Sequence, residues 1–379
     1  MSAERGALAV FLALLVWAPF PLGSNRGWAW TILEAGIFLS AALWTIGWMQ
    51  RRNGSLAVVR AAWPAFALLG AWLAYLALQW TPLPAGLVRA LSPQAAAVHA
   101  LAAPYAASSS PGTWITLSID PNASFVFWLK SCAYAVAFFL TLAFANTRPR
   151  ARLIALVLVL SGLAQAVYGG LMHLSGTDLE IFGAKIPHGS QASGGFVNRT
   201  HLAGFLEITL ALGIGLMVGS LRETGRRSWR QFWRDMAALL LSPKAPLRLF
   251  LVAMVIALVM TRSRMGNTAF FSSLLIAGGV ALALSRHATR STVILIASLI
   301  AIDIAIVGTW FGVEKTIQRI EQTTVGDVEE REEPSAYALP MARDYPLFGA
   351  GAGTFATTFM RYRGPSIRAF FDHAHNDYT

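Results

Sequence analysis

The run DHAHNDYT, Asp372 to Thr379, sets two histidines, two acids, an amide and a phenol side by side. Three chemistries compete for it. Imidazoles two apart on an extended segment, His373 and His375, can converge on a zinc-like ion, but no third strong ligand set accompanies them. A solvated tail is the second reading, and Phe370, Phe371 and Tyr378 argue against it because they ask to be packed. In the third, a neutral imidazole takes a proton from a hydroxyl nucleophile near neutral pH. Asp372 or Asp377 would then orient the ring and stabilise the imidazolium.

Arginines supply the second kind of chemistry. In GGFVNRTH, Arg199 stands where a polar loop turns into an apolar run, so its guanidinium and the free N–H groups of a helix start would face the same anion. The plainer reading of Arg199 is an interfacial side chain snorkelling to lipid headgroups. TRSRMG holds Arg262 and Arg264 after the short apolar run Leu249 to Met260, which predicts both at or just below a membrane surface. Charge at that depth is costly unless it is paired or lines a wet cavity. The two arginine sites together suit a partner with concentrated negative charge, and a lipid pyrophosphate fits, since Arg grips phosphate oxygens bidentately. Glu34, Glu207 and Asp303 are further ionisable groups inside apolar runs. The glycines of PLFGAGAGTF are no dinucleotide fingerprint: the next position is Thr354 and no βαβ unit follows, so they predict a tight turn.

The elements that must carry these residues are membrane helices. Only 13% of the 379 residues are charged and 55% are hydrophobic, too oily for a water-facing surface. About nine runs are long enough to cross a bilayer: 6–22, 28–49, 61–80, 124–145, 153–174, 201–221, 248–262, 267–285 and 292–313. Helices are the expectation throughout, because open strand edges do not survive in lipid. Arg5 precedes the first run as in a signal peptide, but its length and the lack of a clean cleavage site favour a span. Arg51, Arg52, Arg60, Arg148, Arg150, Arg152, Arg222 to Arg248, Arg286 and Arg290 all fall in alternate loops, which predicts a cytoplasmic amino terminus. That bias and anionic headgroups account for the net charge of +11 without nucleic acid. Residues 226–240 place Trp229, Phe232, Trp233, Met236 and Leu240 at helical spacing opposite Arg226, Arg230 and Arg234, the pattern of an interfacial helix. The loops 81–122 and 175–200 lie on the outer side, the first as an ordered cap. The single cysteine, Cys132, leaves neither a disulfide framework nor a thiolate metal site.

Taken together, GGFVNRTHLAGFLE, the SRMG turn, ARDYPLFGAGAGTF followed by DHAHNDY, and the earlier PLGSNRGWAW, LPLP and TLSIDP resemble the O-antigen ligase and Wzy-type polymerase superfamily of bacterial envelope proteins. The resemblance implies an all-α, polytopic helix bundle of the C type of glycosyltransferases, with residues 1–313 as bundle and 314–379 as a long extracytoplasmic loop. It implies a multi-pass protein of the bacterial inner membrane with a periplasmic site, inverting transfer of a glycan from undecaprenyl pyrophosphate to a hydroxyl, and no metal or other cofactor. Arg199 and Arg264, with Arg262 beside them, would hold the pyrophosphate. His375 would be the base, with His373 as second choice, and Arg331 would contact donor or acceptor. The acceptor stays open between a growing glycan, the lipid A core and a protein Ser or Thr; a lipid-linked glycan transporter is the alternative class, disfavoured by the lack of two related halves with broken helices. Superfamily members continue beyond the HND motif, so the chain is expected to be a fragment cut within it.

Overall fold

The computed structural model describes residues 3–50, 57–105, 113–176, 180–181, 184–185, 192–218, 245–284 and 336–364. They are almost wholly helical and form two compact units that interleave in sequence: 1–55 with 140–316, and 56–139 with 317–379.

The first unit is an antiparallel bundle. Its helices are α1 (Ala3–Trp17), α2 (Gly27–Met49), α8 (Arg148–Ser175), α9 (Arg199–Val218), α10 (Ala245–Met260) and α11 (Arg264–Leu284). α8 packs on α1, α9 and α10, and α9 also packs on α10 and α11. Within a bilayer no hydrophobic gradient drives helices together, so close approach depends on small residues. Gly162 of α8 shows this: a Cβ there would lie 2.4 Å from Thr209 Oγ1 of α9 and 2.8 Å from Met254 of α10. The Thr209 hydroxyl is satisfied within its own helix, by the carbonyls of Phe205 at 2.9 Å and Leu206 at 3.1 Å. Around this crossing Leu202, Leu206, Leu210, Leu251, Met254 and Leu258 form the buried core. At one end of the bundle Glu4 is buried and accepts a 2.7 Å hydrogen bond from Arg150 Nη1. The pair ties the start of α1 to the start of α8.

The second unit contains α3 (Ala57–Ala61), α4 (Trp63–Trp80), α5 (Ala85–Leu91), α6 (Pro93–Ala102) and most of α7 (Pro121–Phe144). A helix over 336–344, α12, and the short α13 (Phe355–Phe359) complete it. The expected cap at 81–122 is ordered through α5 and α6 and through a two-residue ladder, β1 (Leu83–Pro84) with antiparallel β2 (Trp114–Ile115). Asp120 starts α7: its Oδ1 accepts the Ala123 N–H at 3.0 Å and Pro121 follows at the first helical position, the usual side-chain cap with a proline that has no donor to waste.

Among the described residues four helices are long and apolar enough to cross a membrane, namely Gly27–Met49, Pro121–Phe144, Arg148–Ser175 and Arg199–Met217. They coincide with four of the predicted spans. Helices α1, α4, α10 and α11 stand at four more, and 292–313 lies outside the described residues, as do the interfacial stretch 226–240 and Asp303.

Candidate functional site

One end of the first unit gathers the arginines. The chain turns from α1 to α2 through Leu22, Gly23 and Ser24, all at positive φ (57°, 63° and 53°), and this turn lies against the loop that leads into α9. A Cβ on Gly23 would meet the Phe196 ring at 2.7 Å, and one on Gly195 would lie 2.8 Å from the Phe20 carbonyl oxygen. PLGSNRGW and GGFVNRTH, far apart in sequence, are therefore one packed structure.

Gln165 of α8 lies beneath that loop, fully buried. Its Oε1 accepts the Gly195 N–H at 2.7 Å. The amide fills the space that side chains would need, because Cβ atoms on Gly194 (φ +56°) and Gly195 would each come within 2.8 Å of it. One turn further, Gly169 packs on the Gly194 backbone at 3.0 Å by the same measure. The next loop is fixed too: the Ala192 N–H donates to the Met260 carbonyl at 3.1 Å, joining this segment to the end of α10.

After Met260 the TRSR turn reverses the chain. The Thr261 hydroxyl donates to the Leu258 carbonyl at 2.6 Å, the Ser263 N–H donates to Thr261 Oγ1 at 3.2 Å, and the Gly266 N–H donates to Ser263 Oγ at 3.3 Å. Arg262, between them, takes φ +50°, a region an L side chain enters at a cost. Arg264 opens α11. α11 crosses close to α9 because Gly266 permits it: a Cβ there would be 2.6 Å from the Ala203 Cβ and 3.1 Å from both Glu207 Oε1 and Ser263 Oγ.

The helix ends marked by Arg199 and Arg264 thus lie at one end of the unit with Arg262. Arg262 has no carboxylate partner among the described residues. Two groups escaped the sequence reading. His173, near the end of α8, lies within electrostatic reach of Arg262, and Arg26 is exposed at the α1–α2 turn. A histidine 21 residues before the GGFVNRTH motif gave no periodic signal. His373, His375, Asp372, Asp377 and Arg331 lie outside the described residues.

The second unit holds the stretch that precedes the histidines. Gly349, Gly351 and Gly353 adopt φ of 67°, 120° and 75°, so the glycines make a turn that other residues could not follow without strain. Gln79 of α4 clamps it, donating from Nε2 to the Phe348 carbonyl at 3.0 Å and accepting the Ala352 N–H at 2.8 Å. The Tyr75 hydroxyl donates to the same Phe348 carbonyl at 3.1 Å, and Ser124 Oγ donates to the Ala352 carbonyl at 2.9 Å. The Ile119 N–H donates to the Ala350 carbonyl at 3.0 Å. Gly351 is required by contact as well as by φ, since a Cβ there would sit 2.2 Å from Ser118 Oγ. Beyond the turn, the Tyr362 hydroxyl donates to Asp344 Oδ2 at 2.5 Å. Burial first, then this bond and the Asp344 charge, hold its phenol in the neutral form, with a pKa pushed up to about 12.

Long apolar helices and buried small-residue crossings are those of a helical integral membrane protein. Residues 249–379 match the family model described as O-antigen ligase, and neither the curated proteins nor the solved structures contain a match. The matched stretch runs from α10 through the TRSRMG turn and the glycine turn to the histidine run, and over it the chain is similar to the O-antigen ligase family. That similarity supports a role of the O-antigen ligase or polymerase type in surface polysaccharide synthesis.

Proposed function

We propose that the protein moves a glycan from undecaprenyl pyrophosphate to an acceptor hydroxyl at the outer face of the bacterial inner membrane. The observation that carries this reading is the gathering of Arg199, Arg262 and the start of α11 at Arg264 on one end of the bundle, with no carboxylate paired to Arg262 among the described residues. A cation such as Arg262, left without a carboxylate at a membrane surface, asks for an anion, and guanidinium forks suit phosphate oxygens.

In this reading the acceptor oxygen bonds to the anomeric carbon as the bond from that carbon to the pyrophosphate oxygen breaks. The electron pair leaves with the pyrophosphate, where the arginines stabilise it, and the acceptor proton passes to His375. Attack opposite the leaving group inverts the anomeric centre. His373 is the reserve base, Asp372 or Asp377 orients the ring, and Arg331 contacts a substrate. The leaving group is already activated, so no metal or other cofactor takes part. The bundle 1–313 would hold the lipid donor and the loop 314–379 would bring the base to it. A growing glycan and the lipid A core are the favoured acceptors.

The test is His375→Ala in the full-length protein, assayed for transfer and, separately, for donor binding. Transfer should be abolished while lipid-linked donor still binds; full activity would reject the base. Arg199→Lys and Arg264→Lys should weaken donor binding, and unchanged affinity in both would reject the clamp. Lipid-linked glycan accumulating on the outer leaflet of a deletion strain marks lost transfer, whereas accumulation on the inner leaflet would mark a transporter.

A further inference from the structure

Opposite the arginine-bearing site, the first unit has a second feature that the transfer reading does not use. Between the start of α8 and the end of α9 lies an open groove of about 260 Å³, lined by Arg152, Ala155, Ala211, Leu212, Gly215 and Leu216. Five of these six residues offer only hydrocarbon or backbone to it. Small residues make the gap. A Cβ built on Gly215 would meet nothing within 4 Å, whereas two residues earlier Gly213 is filled by Leu251 at 2.4 Å. The helices thus touch at Gly162 and Gly213 and part beside Gly215.

Charge sits at one end of this slot. Arg148 and Arg152 are both exposed and lie four residues apart on one face of α8, three residues before Ala155 of the groove. Arg150, on another face, is neutralised by Glu4 at 2.7 Å. Neither Arg148 nor Arg152 has a carboxylate partner among the described residues. An apolar slot lined by one guanidinium group, with a second exposed arginine one helical turn earlier on the same face of α8, matches one ligand in particular. That ligand has a hydrocarbon chain and an anionic phosphate head.

We propose that this groove is a specific site for an anionic phospholipid, its acyl chain lying beside Gly215 between α8 and α9 and its phosphate between Arg148 and Arg152. A zwitterionic lipid would offer the same chain, but its ammonium would offset the phosphate charge that the arginines select. The inference stands apart from the proposed reaction, since it uses the opposite end of the bundle and none of the residues assigned to donor or acceptor.

The experiment uses the full chain in nanodiscs of equimolar phosphatidylglycerol and phosphatidylcholine, followed by transfer to detergent and native mass spectrometry of retained lipid. The wild type should retain phosphatidylglycerol in preference to phosphatidylcholine by roughly tenfold, the order expected for two cations acting near a membrane surface. Arg148→Gln with Arg152→Gln should remove the preference, and both positions are exposed, so the fold should tolerate it. Gly215→Leu fills open space and keeps both charges; it should expel the retained lipid. Equal retention of the two lipids by the wild type, or a preference unchanged in the double arginine variant, overturns the site. A preference that survives Gly215→Leu overturns the seat of the acyl chain.

Discussion

Arg262 combines two costs that a structural residue would avoid. Its φ of +50° is unfavourable for a residue with a Cβ by about 1–2 kcal/mol, and its charge faces no carboxylate among the described residues. Glycine would remove the strain, at a loss of about 0.5–1 kcal/mol from the greater freedom of the unfolded chain. The two effects nearly cancel, with a small advantage to glycine, so stability alone gives no reason for arginine here. We therefore expect Arg262→Gly to melt at the wild-type temperature or slightly above it while donor binding falls at least tenfold, and Arg262→Lys to recover part of the binding. A variant that loses stability and binds donor normally would show that the side chain serves the fold. The type and spacing of Arg199, Arg262 and Arg264 were legible in the sequence. The strain at Arg262 was not, because it arises from Thr261 and Ser263 closing the turn around it. Nor was His173, whose importance lies only in what stands across from it.

At the scale of elements, the bundle's apolar runs announced themselves, and four of the predicted spans reappear as helices long and apolar enough to cross a bilayer. What composition could not convey is how a loop is held between them. Gln165 is an amide within an apolar helix, and a buried amide costs about 1–3 kcal/mol for each group left unmatched; its Nε2 has no partner among the described residues. That cost is carried for one contact, the 2.7 Å bond to the Gly195 N–H that fixes the approach to Arg199. The glycines are its complement. Gly195→Ala would push a methyl to 2.8 Å from both the Gln165 amide and the Phe20 carbonyl, so the loop must shift and carry the start of α9 with it. The expected outcome is a modest loss of stability, about 1–3 kcal/mol, with a disproportionate loss of donor binding. Equal, small effects on both would mean that the loop has room to yield. Gly204, whose Cβ would meet nothing within 4 Å, provides the control: Gly204→Ala should leave donor binding unchanged.

For the molecule as a whole, the interleaving of its units was not legible in the sequence, since the contacts that build them join distant segments; Gln79 and Ala352 are 273 residues apart. The sequence did carry the charge asymmetry from which orientation follows. Within the first unit, one end holds Arg5, Arg148, Arg150 and Arg152, and at that same end α2, α9 and α11 lead into segments bearing Arg51, Arg52, Arg222, Arg226, Arg227, Arg230, Arg234, Arg286 and Arg290. The other end has Arg26, Arg199, Arg262 and Arg264. Short loops rich in Lys and Arg stay in the cytoplasm, so the first end should lie inside and the proposed pyrophosphate site outside. Single cysteines in a Cys132→Ser background decide it, because Asn25 lies in the α1–α2 turn and Asn146 just before α8, both exposed and at opposite ends of the bundle. A membrane-impermeant maleimide applied to intact spheroplasts should label Asn25→Cys and should reach Asn146→Cys only after permeabilisation. The reverse pattern would place the arginine cluster on the cytoplasmic face, where a periplasmic transfer reaction could not use it. Labelling of both from one side would break the alternation of the helices themselves.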